Sequence, residues 1–241
     1  MKPEQGPVNE AKRRAALEAV KHIKDNFIIG LGSGSTAAYA IEAIAEKANR
    51  ENLKVKGIPT SMQAFSLAVK YGIPVTTLEE HNTIDLSIDG ADQIDPNLNL
   101  IKGMGAALTR EKIVASASKQ NIIIADESKR VKALGEMEHP VPIEVLPFSG
   151  AYVKRRIEAM GGKPVVREGK GKLGAVITDN GNMIMDAVFG EINDPTVLAI
   201  NLKMIPGVIE TGLFVGLTDI VYLGSLSKVE KLEVKSKVSR R

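Results

Sequence analysis

Three short polar stretches of this chain carry residue types that could do chemistry. The first, Gly30-Leu-Gly-Ser-Gly-Ser-Thr36, sets glycines at alternate positions. Such glycines let the backbone turn sharply and approach a ligand closely. Ser35 and Thr36 would open the following helix, where free N–H groups, the helix dipole and two hydroxyls suit an anion. The spacing is neither the dinucleotide Gly-x-Gly-x-x-Gly nor a P-loop. A tight turn with a Ser/Thr N-cap is the structural alternative. The second stretch is Asp89-Gly-Ala-Asp92, with Asp95 close behind. Carboxylates gathered at a strand end are costly unless solvated, paired or used. An Asp-rich loop of Asx turns is the plainer alternative. No calcium-loop spacing or histidine partner supports a metal there. The third stretch runs from Lys102 to Lys112, Lys-Gly-Met-Gly-Ala-Ala-Leu-Thr-Arg-Glu-Lys. A lysine followed by Gly103 and Gly105 suggests a mobile or close-packed loop near an anion. Thr109 reads as a helix N-cap, which puts Glu111 in the first helical turn. A glutamate there either complements the helix dipole or serves as a base.

Other chemistries find little support. His22, His81 and His139 are isolated in polar surroundings and read as surface residues, so no Ser-His-Asp triad or metal motif follows from them. There are no cysteines, which excludes a disulfide scaffold, a thiolate nucleophile and a Cys-ligated metal. No stretch reaches the roughly 20 apolar residues of a membrane helix. Met1 to Arg14 lacks the apolar core of a signal peptide. These features favour a cytoplasmic location without a membrane partner. Much of the net charge of +3 comes from Lys228, Lys231, Lys235, Lys237, Arg240 and Arg241. That cluster is either a nucleic-acid patch or a solvated, frayed terminus. No aromatics are present to stack on bases, which favours the terminus and no nucleic-acid partner.

The elements that would position these stretches alternate. Asn9 to Lys24 has helical spacing, with Ala16, Leu17, Val20 and Ile23 recurring. Phe27 to Leu31 is a short apolar strand, followed by a helix with Ala37, Ala40, Ile41, Ile44 and Ala48 on one face. Val55 to Ile58 is a second strand, and a helix then ends near Tyr71, with Gly72 as its stop. Ile84 to Ile88 is a third strand, Thr109 to Ala117 a helix, and Asn121 to Ala125 a strand. The alternation predicts an α/β fold with a Rossmann-like, mainly parallel sheet and helices on both faces. Ligands of such sheets bind beyond the carboxyl ends of the strands. The polar sequences Gly32 to Thr36, Thr60 to Ser61, Asp89 to Asp95 and Asp126 to Lys129 all fall at those ends.

After about Leu134 the pattern changes. Val141 to Leu146 reads as a strand and Ala151 to Met160 as a helix stopped by Gly161 and Gly162. Val165 to Arg167 and Ala175 to Thr178 read as strands. Asp179-Asn-Gly181 makes a hairpin turn into Asn182 to Val188. Pro195 to Lys203 is a helix, Val208 to Thr211 a strand, and Ile220 to Leu223 returns to the first sheet. The order β-α-β-β-α-β predicts a smaller α+β, ferredoxin-like domain. The expected division is 1–134 with 212–230 for the α/β catalytic domain, 135–211 for the small domain, and 231–241 for a basic tail.

Taken together, the motifs resemble the A-type ribose-5-phosphate isomerases over nearly the whole chain, up to about Lys228. The most specific pieces are Gly-Ser-Gly-Ser-Thr at 32–36, Asp-Gly-Ala-Asp at 89–92, the segment 102–112, and Ile-Ala-Asp-Glu-Ser-Lys at 124–129. Gly-Leu-Phe at 212–214 also fits. The resemblance implies a substrate-binding loop on Ser33, Gly34, Ser35 and Thr36, an aspartate loop on Asp89, Gly90, Ala91 and Asp92, and a lysine-glycine loop on Lys102, Gly103, Met104 and Gly105. It puts the catalytic base on Glu111, another substrate-contacting lysine on Lys129, and a lysine expected near the phosphate on Lys12. The family often has three glycines after the lysine; here the middle one is Met104.

The activity implied is metal-independent interconversion of ribose 5-phosphate and ribulose 5-phosphate in the non-oxidative pentose phosphate pathway, with no cofactor and a homodimeric or homotetrameric assembly. Glu111 would move the carbon-bound proton, Lys102 would stabilise the enediolate, and Asp89 and Asp92 would hold hydroxyls. Rival readings are an amino-sugar-phosphate deaminase, a CoA transferase or a sugar-phosphate sensor. The segment 102–112 argues against the first two. A strand starting near Phe27 leaves no room ahead of it for the sensor's expected helix-turn-helix.

Overall fold

The computed structural model describes residues 6–171 and 173–234. In chain order the first elements are α1 (Pro7–Ala19), β1 (Ile28–Leu31), α2 (Ser35–Glu51), β2 (Lys56–Pro59), α3 (Met62–Tyr71) and β3 (Leu86–Asp89). Then come β4 (Gln93–Ile94), β5 (Leu100–Ile101), α4 (Leu108–Ala117), β6 (Asn121–Asp126), β7 (Val141–Val145), α5 (Gly150–Ala159) and β8 (Lys163–Val166). The chain continues with β9 (Met183–Val188), α6 (Pro195–Lys203), β10 (Val208–Thr211), β11 (Leu213–Phe214), β12 (Ile220–Gly224) and β13 (Val229–Glu233). They form two compact units. One holds residues 6–90, 113–129 and 217–234, the other 91–112 and 130–216.

The first unit is built on a six-stranded sheet in the order β13-β12-β6-β3-β1-β2. Its strands run parallel except β13, which is antiparallel to β12 at the edge. The parity of the apolar residues explains the layers, because successive side chains of a strand point to opposite faces. Ile29, Leu31, Leu86, Ile88, Ile122 and Ile124 share one core with Ala15, Ala16, Ala40, Ile41, Ala64 and Ala68 of α1, α2 and α3. The alanines keep the helix surfaces low, so the helices lie close on the sheet. Ile28 and Ile58 face the other way and pack with Ile84 and Val114. The mainly parallel sheet with helices on both faces is therefore as the alternation implies. Each buried Ile or Leu contributes about 1.5–3 kcal/mol relative to exposure.

The second unit contains β7-α5-β8-β9-α6-β10, with its four strands antiparallel in the order β10-β7-β9-β8. This is the ferredoxin-like connectivity. Val141, Ile143 and Val145 of β7 pack with Val153 and Ile157 of α5, Met185 of β9 and Leu202 of α6. A three-stranded antiparallel sheet, β11-β5-β4, belongs to the same unit. It explains why 91–112 joins this unit rather than following the expected boundary at residue 134. β5 pairs with β11, and Gln93 accepts from Gly135 N at 2.7 Å and donates to Glu136 O at 3.0 Å.

Several local expectations shift. The first helix starts at Pro7 and gives way to a 3-10 turn at Val20–His22. Ala175 to Thr178 is not a strand; it makes only isolated bridges, Glu168 with Ala175 and Ile177 with Met183. Ile220 to Gly224 does return to the first sheet, beside β6. Val229–Glu233, where a frayed terminus was expected, is a strand, and Lys231 pairs with Glu233. Lys235, Lys237, Arg240 and Arg241 lie outside the described residues. No helix among the described residues is long and apolar enough to cross a membrane.

Gly30 shows how tightly the first sheet is covered. A Cβ there would fall 2.5 Å from Val114 Cγ1 and 2.8 Å from Ser87 Cβ. Gly30→Ala should therefore lower stability by about 1–3 kcal/mol through overpacking, read as a lower urea midpoint. An unchanged midpoint would show that the interface is looser than this packing implies.

Candidate active site

In the first unit, the polar residues gather at the carboxyl ends of three neighbouring strands. The loop after β1 leaves the sheet at Gly32, where a Cβ would fall on Asp89. Ser33 Oγ lies 2.7 Å from Thr60 Oγ1 and donates to Ser61 Oγ at 2.6 Å, so the ends of β1 and β2 are joined. Ser61 in turn caps α3, accepting from Ala64 N at 3.1 Å. Asp89, at the end of β3, accepts through Oδ1 from Ser33 N at 3.1 Å and Gly90 N at 2.7 Å. Two backbone donors on one oxygen orient this buried carboxylate and offset its desolvation.

Gly34 caps α2 with φ of +95°, a conformation that favours glycine, and donates to Gln63 Oε1 at 2.8 Å. Ser35 opens α2, and Lys12 Nζ donates to Ser35 Oγ at 3.2 Å. A Cβ on Gly90 would sit 3.7 Å from Thr36 Cβ. Thus Lys12, Ser33, Gly34, Ser35, Thr36, Asp89 and Gly90 are brought together. The set combines an ammonium, a helix N-terminus and the three hydroxyls of Ser33, Ser35 and Thr36, which suits an anionic group. Lys129 ends the 3-10 turn Glu127–Lys129 after β6, the next strand along.

In the second unit, Ala91 begins the chain segment that carries Asp92. Asp92 accepts through Oδ2 from Met104 N at 3.1 Å. Lys102 follows β5, and its backbone N–H donates to Gly212 O at 2.9 Å. Its Nζ lies 3.4 Å from Glu111 Oε2, and the two side chains are only 4% and 6% exposed. The Phe214 ring centroid is 5.4 Å from Lys102 Nζ, within cation–π reach. So Asp92, Lys102 and Glu111 are drawn together with the lysine-glycine loop.

That loop has one position that requires glycine. Gly103 has φ of +105°, and a Cβ would meet Leu108 at 2.8 Å. Met104, by contrast, is not among the residues with positive φ, so its backbone conformation tolerates a side chain. Arg167 holds the loop: its Nη1 donates to Gly103 O at 3.0 Å and Met104 O at 2.9 Å. Arg167 is itself paired with Asp186, with Nε donating to Oδ2 at 2.7 Å.

Glu111 lies in the first turn of α4, as expected, but Thr109 is not the N-cap. The helix opens one residue earlier, at Leu108, and the Thr109 hydroxyl instead donates to Glu144 Oε2 at 2.6 Å. Sequence reasoning missed Gln63, Arg167, Asp186 and Glu144, whose partners are remote in the chain. No local signal could have found them. Among the described residues, no group of three or more His, Cys, Asp or Glu side chains is arranged to hold a metal. His22 lies 2.8 Å from the Tyr222 hydroxyl, and burial followed by the Lys231 charge lowers its pKa.

Lys112, next to Glu111, turns to a different cluster. Its Nζ donates to Glu210 Oε1 at 2.9 Å and Thr211 O at 2.6 Å and lies 4.8 Å from the Phe214 centroid. Burial lowers the Lys112 pKa despite Glu210. At Glu210 burial pushes upward, but the Lys112 charge and hydrogen bond, with smaller help from Thr211 N and Lys203, hold the carboxyl below its ordinary 4.5.

The family model for ribose 5-phosphate isomerase A (phosphoriboisomerase A) matches residues 56–228. Ribose-5-phosphate isomerase A of Methanothermobacter thermautotrophicus is 49% identical, over 89% of this chain and 93% of its own. That of Pyrococcus horikoshii is 47% identical, over 94% and 99%. A solved D-ribose-5-phosphate isomerase in complex with phospho-erythronic acid is 47% identical with a TM-score of 0.91, covering 94% of this chain and 99% of that one. Ribose 5-phosphate isomerase A from Methanocaldococcus jannaschii is 45% identical with a TM-score of 0.89, covering 93% and 98%.

The Glu210 carboxyl has a measurable consequence. A carboxyl whose folded pKa is depressed contributes stability that is present above its ordinary value and lost as pH falls through the folded value. For Glu210 the loss begins below pH 4.5. Glu210→Gln should be less stable than wild type at neutral pH, and its stability should fall less steeply from there to about pH 3. Urea unfolding across that range checks this; parallel pH curves for the two proteins would contradict it.

Proposed function

This chain belongs to the ribose 5-phosphate isomerase A family, and from that premise we propose how its side chains carry out the reaction. The reaction is the isomerisation of the aldose ribose 5-phosphate to the ketose ribulose 5-phosphate. It moves one proton between C2 and C1 and shifts the hydroxyl protons. Glu111 is the base. Its carboxylate takes the proton from C2, the C–H electron pair becomes the C1=C2 double bond, and the C1 carbonyl oxygen takes up negative charge. Lys102 stabilises that enediolate oxygen. Glu111 then returns the proton to C1, while the proton of the C2 hydroxyl passes to the C1 oxygen, so that the C2 oxygen becomes the carbonyl and the C1 oxygen the new hydroxyl.

Asp89 and Asp92 hold substrate hydroxyls, and one of them assists ring opening. Ser33, Gly34, Ser35 and Thr36 contact the substrate, together with Gly90, Ala91, Gly103, Met104 and Gly105. Lys129 and Lys12 serve the phosphate. The scheme calls on no metal or organic cofactor. A homodimeric or homotetrameric assembly, no nucleic-acid partner and a cytoplasmic location belong to the same reading.

The observation that carries the reading is the buried approach of Lys102 Nζ to Glu111 Oε2 at 3.4 Å. A preorganised cation in a desolvated site is worth far more to a developing oxyanion than it would be in water. The spacing is longer than the roughly 2.8 Å of a tight charge-assisted hydrogen bond, so the ammonium is not locked onto the base. The Lys12–Ser35 contact at the start of α2 supports an anion-binding role for that loop. A relative's complex with phospho-erythronic acid supports recognition of a phosphorylated sugar acid by this family.

The test is conversion of ribose 5-phosphate by wild type and Glu111→Gln with a chelator present. Wild type should remain active, and the variant should lose about 10²- to 10⁴-fold in kcat while unfolding at a temperature close to wild type. A folded variant turning over at the wild-type rate would remove Glu111 from the role.

A further inference from the structure

We infer that Glu144 is a positioning residue that sets the turn carrying Glu111, acting through Thr109. The inference rests on Glu111 being the base. Glu144 lies in β7 with its side chain wholly buried, at 0% exposure. Its hydrogen bonds nevertheless come from neutral donors. Thr109 Oγ1 donates to Oε2 at 2.6 Å. Thr178 Oγ1, Asn180 Nδ2 and Asn182 Nδ2 donate to Oε1 at 2.8, 3.0 and 2.8 Å. A buried carboxylate without a cation is a poor source of stability, since apolar side chains of similar volume often serve as well. What four directional bonds do supply is geometry.

Three of those bonds organise the turn 178–182, and the fourth reaches the second residue of α4. Arg110 grips the same turn from the next position: its Nε donates to Asn180 Oδ1 at 2.7 Å and its Nη2 to Asp179 O at 2.9 Å. Two consecutive residues thus anchor the first turn of α4 to a loop built around Glu144. Glu111 follows directly, on a stiff helical backbone of 3.6 residues per turn. Holding Thr109 and Arg110 therefore fixes the height and direction from which Glu111 projects toward Lys102. A misplacement of about 1 Å in a reacting group reduces rate by about 100-fold, so this anchor matters to turnover more than to substrate binding.

Thr109→Val keeps the side-chain shape and deletes the donor, Thr109→Ser retains the hydroxyl, and Glu144→Gln keeps the shape while exchanging an acceptor for a donor. Isomerisation kinetics are measured for each, for Glu111→Gln, and for Thr109→Val combined with Glu111→Gln. Thr109→Val and Glu144→Gln should lower kcat by about 10- to 100-fold, with KM within about twofold. Thr109→Ser should retain most of the activity, and Thr109→Val should add no further loss to Glu111→Gln. A folded Thr109→Val enzyme with wild-type kcat overturns the inference. So does a Thr109→Val loss that recurs in full on the Glu111→Gln background. If Glu144→Gln does not fold, the Thr109 pair decides the matter. Failure of the base assignment is read separately, from the rate of Glu111→Gln alone.

Discussion

Burial of charge is the constraint on which the rest of this structure depends. Asp89, Asp95, Lys102, Glu111, Asp126 and Glu144 are all buried. Desolvating one such ion costs several kcal/mol, while a hydrogen bond to a charged group contributes about 1.5–3 kcal/mol. Each carboxylate therefore needs several donors or a counter-charge, and the surrounding loops supply them. Asp95 takes the N–H groups of Asn97 and Asn99, both at 2.8 Å, and the Asn99 side chain at 3.0 Å. Asp89 takes Ser33 N and Gly90 N. Lys102 and Glu111 face each other. Glu144 takes four neutral donors.

The two units meet this constraint by different means. In the first, parallel strands end on one edge, so their terminal N–H groups and the start of α2 face the same way. Ser33 joins three strand ends because it sits where β1 has just left the sheet between its neighbours β2 and β3. In the second, side chains do most of the work. Arg167 and Asp186 fasten the backbone of Gly103 and Met104, and Glu144 gathers Thr109 and the turn 178–182. The first arrangement is set by chain direction and the second by a web of long polar side chains.

Legibility in the sequence follows the range of the forces involved. Pro195–Lys203 was readable to the residue, because Pro195 stands at the first helical position and Asp194 caps Val197 N at 3.0 Å. Gly72 stopped α3 in the left-handed conformation that glycine makes easy. The strands β4, β5 and β11 were not readable. Each has two residues and exists only because a partner strand completes its hydrogen bonds. β13 was masked by its charges: an edge strand with Lys231 and Glu233 reads as a solvated tail until β12 is there to pair with it. Thr109 has the residue type of a cap, yet its hydroxyl goes to Glu144, 35 residues away.

The sequence by itself determined the chemical inventory and the local geometry. It put hydroxyls at the start of α2, a glycine where φ must be positive at Gly34 and Gly103, and a glutamate in the first turn of α4. These follow from preferences that act within a helical turn or a tight loop, so composition and spacing suffice to read them. Only the tertiary structure decided which groups meet. Ser33 finds Thr60, Ser61 and Asp89, and Arg167 finds the carbonyls of Gly103 and Met104. Such partners are tens of residues apart. Their meeting depends on strand order and register, which are set by burying whole apolar faces and not by any property of the partners themselves.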